Sequence, residues 1–141
     1  MQLEIIDTVY IVAYLRSSDP LHSEAKSVME ELRPHRRVSQ ASLLELDLLM
    51  KSRGFTLAER LKTWILLEKI IPNELVELLN PQDLTIAVIL TEKYGLDYFD
   101  ALIAAQCITR NAKPLTTDKD IIEAVSKTSK DKLLSELKNL H

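Results

Sequence analysis

Residues 2–7 read Gln-Leu-Glu-Ile-Ile-Asp, a short apolar run that ends in a carboxylate. This run predicts a β-strand over residues 2–6 that stops at Asp7, with a helix following directly over residues 8–17. Acidic side chains interrupt the apolar run and no basic residues precede it. The N-terminal segment is therefore not expected to be a secretory signal.

The same alternation of short apolar segments and helical segments continues along the rest of the chain. Further strands are predicted over residues 36–39, 75–79 and 114–117. Further helices are predicted over residues 20–33, 40–53, 56–71, 82–94, 97–111 and 129–140, with a short one from Asp118. This pattern is typical of an α/β fold, in which helices cover both faces of a parallel sheet. Binding groups in such sheets gather beyond the carboxyl ends of the strands, so acids at those ends are candidate functional residues.

Composition predicts one soluble globular domain that spans residues 1–141. Hydrophobic residues make up 46% of the chain and charged residues 28%, and no apolar stretch approaches the roughly 18 residues of a membrane span. The single cysteine, Cys107, cannot form an internal disulfide, which fits a cytoplasmic location. The net charge of -3 counts against a broad basic surface that coats nucleic acid. It does not count against a nuclease, because a bound metal ion supplies local positive charge.

Four acids occupy positions that suggest a common site. Asp7 and Asp118 follow predicted strands, Glu45 lies between two leucines of a helix, and Asp100 lies in a helical stretch of apolar and small residues. Carboxylates buried in such surroundings are costly unless they are paired or metal-bound, and four at one sheet edge would repel one another. Oxygen ligands favour Mg²⁺ or Mn²⁺, and the sequence has no His/Cys cluster with zinc spacing. Such a site would hydrolyse phosphodiesters.

Each of these acids also has a purely structural interpretation. Asp7 and Asp118 are suitable N-caps for the helices that follow them. Asp97 stands three residues before Asp100, a spacing that fits a capping box. Glu45 can point outward from its helix although leucines flank it. Spacing alone leaves both interpretations open.

Two other segments have alternative interpretations. The basic run over residues 33–37 is either a solvated turn or a surface that steers phosphate toward the acids. The leucines of the last helix, including Leu133 and Leu140, share one side. That side either covers the sheet or meets a partner.

Several motifs follow one another in a recognisable order. They are Ile5-Ile6-Asp7-Thr8, Asp19-Pro20-Leu21-His22 followed by Ala25, Val38-Ser39 followed by Glu45-Leu46, Tyr98-Phe99-Asp100-Ala101-Leu102-Ile103-Ala104-Ala105, and Pro114-Leu115-Thr116-Thr117-Asp118-Lys119-Asp120. In this order and spacing they resemble the PIN domain, especially VapC toxins. The resemblance covers nearly the whole chain, from residue 7 to about residue 121.

The resemblance implies a three-layer α/β/α sandwich around a mostly parallel sheet of four to five short strands. It implies an RNA endonuclease that uses Mg²⁺ or Mn²⁺, forms homodimers and is inhibited by a cognate antitoxin. The residues that it assigns to metal binding and catalysis are Asp7, Glu45, Asp100 and Asp118, and those that it assigns as supporting polar residues are Thr8 and Thr116. Asp120 competes with Asp118 for the fourth acidic role, and Asp118 is favoured because it follows the strand directly. Val9 stands where the family often has asparagine, which removes one possible polar contact.

Two other functions compete with the nuclease. The first is a catalytically silent PIN scaffold that binds RNA or an antitoxin, which the presence of all four acids disfavours. The second is a phosphotransfer domain, either a receiver or a haloacid-dehalogenase-like phosphatase. The phosphatase would need an acid where Val9 stands, and the receiver would need one where the third predicted strand leads instead to Asn80.

Overall fold

A computed structural model describes residues 1–139, in which four short strands form one parallel sheet. The strands are β1 (Glu4–Ile6), β2 (Arg36–Ser39), β3 (Val76–Glu77) and β4 (Lys113–Leu115). Their order across the sheet is β3-β2-β1-β4, and every neighbouring pair is parallel. The predicted parallel sheet is thus confirmed, with β1 and its terminal Asp7 near the centre.

Helices flank this sheet on both sides. Within residues 1–139 they are α1 (Thr8–Leu15), α2 (His22–Met29), α3 (Gln40–Ser52), α4 (Leu57–Ile70), α5 (Pro81–Tyr94), α6 (Tyr98–Arg110), α7 (Lys119–Lys127) and α8 (Lys130–Leu137). One apolar cluster draws its side chains from α1–α4, and another draws them mainly from α5–α8. This arrangement confirms the predicted three-layer architecture.

The strand β1 is apolar on both faces, as a central parallel strand requires. Ile5 packs against Cys107 and Ala112, whereas Ile6 belongs to the cluster formed with α1–α4. Successive side chains of a strand point to opposite faces, so these two isoleucines anchor the two helical layers. Asp7 is the first polar residue after them, and it lies just beyond the carboxyl end of β1.

Two predicted elements are shorter in the structure. The helix predicted over residues 20–33 is shortened to α2. A turn at Asp19 precedes α2, and reciprocal backbone hydrogen bonds between Arg33 and Arg36 make a second turn after it. The strand predicted over residues 75–79 is reduced to the two residues of β3. A 3₁₀ turn, Asn73–Leu75, occupies the residues before it.

The C-terminal helix covers the core. Leu133 of α8 is fully buried in the apolar cluster of α5–α7, and Leu134 packs against the same cluster. The predicted helix ran to residue 140, but α8 ends at Leu137, and Leu140 lies outside the described residues. Over residues 1–139, none of the helices has both the length and the apolar character that a membrane crossing demands.

Candidate active site

The topology brings three strand ends to one edge of the sheet. Asp7 follows β1, α3 with Glu45 follows β2, and Asp118 lies three residues beyond the end of β4. Because β1 pairs with both β2 and β4 in parallel, the acids that follow these strands meet at the carboxyl edge. The helix α6 runs back from the same edge and contributes Asp100 in its first turn.

Asp7 is almost completely buried, and both of its oxygens accept hydrogen bonds. Its Oδ1 accepts the backbone N–H of Thr8 at 2.7 Å, which makes it the N-cap of α1. Its Oδ2 accepts the hydroxyl of Thr116 at 2.6 Å. Burial raises the pKa of Asp7, and the charges of Asp118 and Asp97 raise it further, against the lowering effect of these two hydrogen bonds. Asp7 is therefore both a helix cap and a member of the acidic group.

Glu45 points toward Asp7 rather than outward from α3. The hydroxyl of Thr8 donates a short hydrogen bond to Glu45, so Thr8 contacts one acid through its backbone and another through its side chain. Partial burial raises the pKa of Glu45, and the charges of Asp7, Asp97 and Asp118 contribute to the rise.

Asp100 has the most strongly shifted carboxyl group of the site. Burial, followed by the charges of Asp97, Asp118 and Asp7, raises the pKa of Asp100 from 3.8 to about 8. The predicted N-cap is present as well, because the carboxylate of Asp97 accepts the backbone N–H of Asp100 at 2.9 Å. Burial and the charges of the neighbouring acids keep Asp100 protonated. A bound cation would offset those charges, and Asp100 would then release its proton.

Asp118 and Asp120, which compete for the fourth acidic role, have different surroundings. Asp118 caps α7 by accepting the backbone N–H groups of Asp120 and Ile121. Its charge raises the pKa of Asp7, Glu45 and Asp100. Asp120 is exposed, and it enters this group only through its backbone N–H.

Asp97 is a fifth acid of the site that sequence reasoning treated only as a helix cap. Its charge raises the pKa of Asp7, Glu45 and Asp100, as that of Asp118 does. The available signal was its position, one turn before Asp100 at the start of a helix that returns from the carboxyl edge. The capping function explained Asp97 fully, so nothing in the spacing required a second role.

The donor chemistry of the site fits a hard cation such as Mg²⁺ or Mn²⁺. All of the side chains that would hold the cation are carboxylates. An ionised carboxylate offers about four lone pairs, and at Asp7 hydrogen bonds use two of them. Within residues 1–139, no three acidic, histidine or cysteine side chains are already gathered closely enough to share one ion. Binding would therefore draw the carboxylates together, and the repulsion between them is what a cation would relieve.

The basic run over residues 33–37 lies at the opposite edge of the sheet from the acids. Arg36 starts β2, pairs in register with Glu4 and forms a 2.9 Å ion pair with that residue. Arg37 bonds to Glu77 and to the carbonyl of Pro34. These partners favour the structural interpretation of the run, as a turn and strand start, over the interpretation that it steers phosphate toward the acids.

A separate apolar groove of about 570 Å³ lies between α1, α3 and α4. None of the acids of the site lines it. Its walls include Leu15, Met50 and Leu66, and Arg16, Arg53 and Lys62 are its charged lining residues. This groove is chemically distinct from the acidic edge, and it suits a protein segment better than a phosphate.

A family model for the PIN domain matches residues 5–127, which include every acid of the site. The chain belongs to the PIN-domain family. The resemblance drawn from the motifs is thereby confirmed. A comparison with curated protein sequences finds no match to this chain.

Solved structures with the same fold include VapC proteins. VapC20 of Mycobacterium tuberculosis, a toxin that cleaves the sarcin-ricin loop, is 21% identical over 86% of this chain and 94% of its own, with a TM-score of 0.63. VapBC2 of Rickettsia felis, bound to promoter DNA, is 16% identical over 86% and 92%, with a TM-score of 0.62. A toxin-antitoxin complex of Klebsiella pneumoniae is 22% identical over 83% and 88%, with a TM-score of 0.57. At these identities the likeness establishes the PIN fold alone.

Proposed function

We propose that this PIN domain is a metal-dependent RNA endonuclease and the toxin of a VapBC-type toxin-antitoxin pair. The observation that carries the proposal is that Asp7, Glu45, Asp100 and Asp118 lie at the same edge of the sheet, where the hydroxyls of Thr8 and Thr116 bond to Glu45 and Asp7. They lie far apart along the chain, yet Asp7, Glu45 and Asp100 have raised pKa values to which the charges of neighbouring acids contribute. A fold gains no stability from gathering like charges, so the arrangement is best explained by a positively charged ligand.

In this proposal Asp7, Asp100 and Asp118 are the main metal ligands, and Glu45 binds the metal directly or through a water that it orients for attack. A bound Mg²⁺ or Mn²⁺ would supply an activated water and stabilise charge on the scissile phosphate. Thr116 holds the carboxylate of Asp7 in place, and Thr8 holds that of Glu45. Asp100 has to lose its proton to become a ligand, so metal affinity should rise with pH.

RNA is the proposed substrate because the motifs resemble those of VapC toxins, a resemblance that implies an RNA endonuclease, and because the fold is shared with VapC20, a toxin that cleaves the sarcin-ricin loop. The acidic site adds a requirement of its own. With a net charge of -3 and five carboxylates at the edge, a phosphate chain approaches only if the cation is in place. Cleavage should therefore depend absolutely on divalent metal.

The proposed antitoxin would bind in the groove between α1, α3 and α4. Across residues 1–139 no ion pair involves Arg16, Arg53 or Lys62, so their charges are available to a partner. Apolar walls with basic side chains suit an amphipathic segment that carries acidic residues. The homodimer and the cytoplasmic location stay predictions.

The decisive experiment combines Mn²⁺ titration by calorimetry with cleavage of an RNA substrate by the full chain. Asp7→Asn and Asp100→Asn should abolish cleavage and weaken Mn²⁺ binding while the far-UV circular dichroism stays unchanged. Asp131→Asn, an exposed acid of α8, is the matched control and should behave as the parent chain. Unchanged cleavage in both site variants would refute the assignment of catalysis to these acids.

The same experiment separates two remaining alternatives. No Mn²⁺ binding by the parent chain at millimolar metal would favour the silent scaffold that binds RNA or an antitoxin.

The choice between Asp118 and Asp120 for the fourth acidic role is tested by two variants. Asp118→Asn should abolish cleavage, and Asp120→Asn should retain it. The reverse result would exchange the roles of these two acids.

A further inference from the structure

The helix α3 is fixed to the end of β1 by a buried serine. Ser42 is fully buried, and its hydroxyl donates a 3.0 Å hydrogen bond to the backbone carbonyl of Ile6. Ile6 is the last residue of β1 and directly precedes Asp7. The bond therefore joins the helix that carries Glu45 to the peptide that leads into Asp7.

A second hydrogen bond joins the same two elements one helical turn further along. Glu45 follows Ser42 by three residues, and residues at this spacing lie on the same side of a helix. Glu45 accepts the hydroxyl of Thr8, two residues beyond Ile6. Together the two bonds fix both the position of α3 along the β1–α1 junction and its rotation about its own axis.

These two bonds differ in what a bound cation would do to them. The bond between Thr8 and Glu45 uses a carboxylate oxygen that is itself a candidate ligand, so metal binding competes with it. The bond from Ser42 uses a backbone carbonyl inside the core and stays in place. Ser42 is thus the connection that keeps Glu45 near Asp7 whether or not the carboxylates are occupied.

We propose that Ser42 is a positioning residue that sets the separation between Glu45 and Asp7 and thereby the affinity of the site for its divalent cation. This inference rests on the proposed nuclease function. Side chains that hold metal ligands in place from outside the coordination shell typically change metal affinity by roughly 10- to 100-fold when they are removed. Ser42 acts through the backbone of Ile6 and through its own helix, so the lower end of that range is expected.

The test is Ser42→Ala in the full chain, with Mn²⁺ as the probe. The dissociation constant for Mn²⁺, measured by calorimetry, should rise roughly 10-fold. The Mn²⁺ concentration that gives half-maximal RNA cleavage should rise by a similar factor, while the rate at saturating Mn²⁺ changes far less. Ser42→Cys replaces the hydroxyl with a somewhat larger thiol that is only a weak donor. It should show the same effect at smaller size, and it serves if the alanine variant does not fold.

Two control variants separate positioning from general loss of stability. Ser52→Ala removes a serine of the same helix whose hydroxyl bonds locally to the carbonyl of Leu49, and it should leave Mn²⁺ binding unchanged. Leu133→Val loosens the core at α8, where the side chain is fully buried. It should lower the thermal midpoint without moving the Mn²⁺ dissociation constant.

The possible outcomes are distinguishable. Mn²⁺ binding by Ser42→Ala that matches the parent chain would overturn the positioning role and leave the nuclease proposal standing. Equal weakening by Ser42→Ala and Leu133→Val would also overturn it, because stability alone would then explain the effect. Absence of Mn²⁺ binding in the parent chain would remove the proposed function, and this inference with it.

Discussion

The hydroxyl of Thr116 donates a 2.6 Å hydrogen bond to Oδ2 of Asp7, although 109 residues separate the two in the sequence. The same hydroxyl oxygen accepts the backbone N–H of Asp118 at 3.0 Å. One side chain thus links the acids that follow β1 and β4. Its donated hydrogen bond also lowers the pKa of Asp7, against the effect of burial.

Thr116→Val should reduce RNA cleavage because it removes both of these hydrogen bonds while keeping the volume. The carboxylate of Asp7 loses its orientation, and its pKa rises further. The expected loss in kcat/KM is roughly 10- to 100-fold, as for other residues that hold metal ligands. Thr116→Ser keeps the hydroxyl and should cleave nearly as well as the parent chain. Equal activity of the valine and serine variants would contradict the assigned role.

Without added metal, the chain should become less stable as the pH rises. The pKa of Asp100 is 3.8 in an ordinary environment and about 8 in the folded protein, and the pKa values of Asp7 and Glu45 shift in the same direction. Between these values the folded state binds more protons than the unfolded state, so the free energy of unfolding falls with increasing pH. Thermal midpoints measured in EDTA from about pH 5 to about pH 8 should therefore decline.

Variants of the acids test which charge causes this decline. Asp100→Asn should flatten the pH profile and raise the midpoint at the alkaline end. Asp97→Asn should flatten it partly, because asparagine still caps a helix while the charge that acts on Asp100 is gone. Asp131→Asn on α8 should leave the slope unchanged. A profile that rises with pH in the parent chain would refute the assignment.

Sequence patterns predicted the fold well because its determinants are local. Ile5 and Ile6 make both faces of β1 apolar, as a central parallel strand requires. Asp7 ends this apolar run. The strand β3 was harder to predict, since two residues preceded by a 3₁₀ turn carry little periodic signal.

The predicted grouping of Asp7 with Asp118 follows from the parallel order of β1 and β4. The hydrogen bonds from Thr8 to Glu45 and from Thr116 to Asp7 join residues that lie far apart in the sequence. Sequence spacing therefore could not predict them. Asp97 was missed because its capping role sufficed to explain it.

The groove between α1, α3 and α4 should bind the antitoxin through charge as well as apolar contact. The combined change Arg53→Glu and Lys62→Glu reverses two exposed charges of the groove lining. It should slow association with the cognate antitoxin, with the largest effect at low salt. RNA cleavage by the variant alone should stay unchanged, because neither residue lies at the acidic edge. Equal association rates for variant and parent would place the antitoxin elsewhere.

The pair between Arg110 and Asp83 should be the most sensitive polar contact for stability. Asp83 is fully buried, and two guanidinium nitrogens of Arg110 reach its carboxylate at 2.7 and 3.0 Å. Burial by itself raises the pKa of Asp83, but hydrogen bonds from Arg110, Asn80 and Thr109 outweigh it and hold the pKa below its ordinary value.

Arg110→Met would leave this carboxylate buried without its cation, which typically costs about 3–5 kcal/mol. Urea unfolding at neutral pH measures the loss, and the double variant with Asp83→Asn should recover part of it because the fully buried charge of Asp83 is then removed. Cleavage per folded molecule should be unaffected, since Arg110 ends α6 and Asp100 lies in its first turn. A loss below about 1 kcal/mol would indicate that the pair behaves like an exposed surface ion pair.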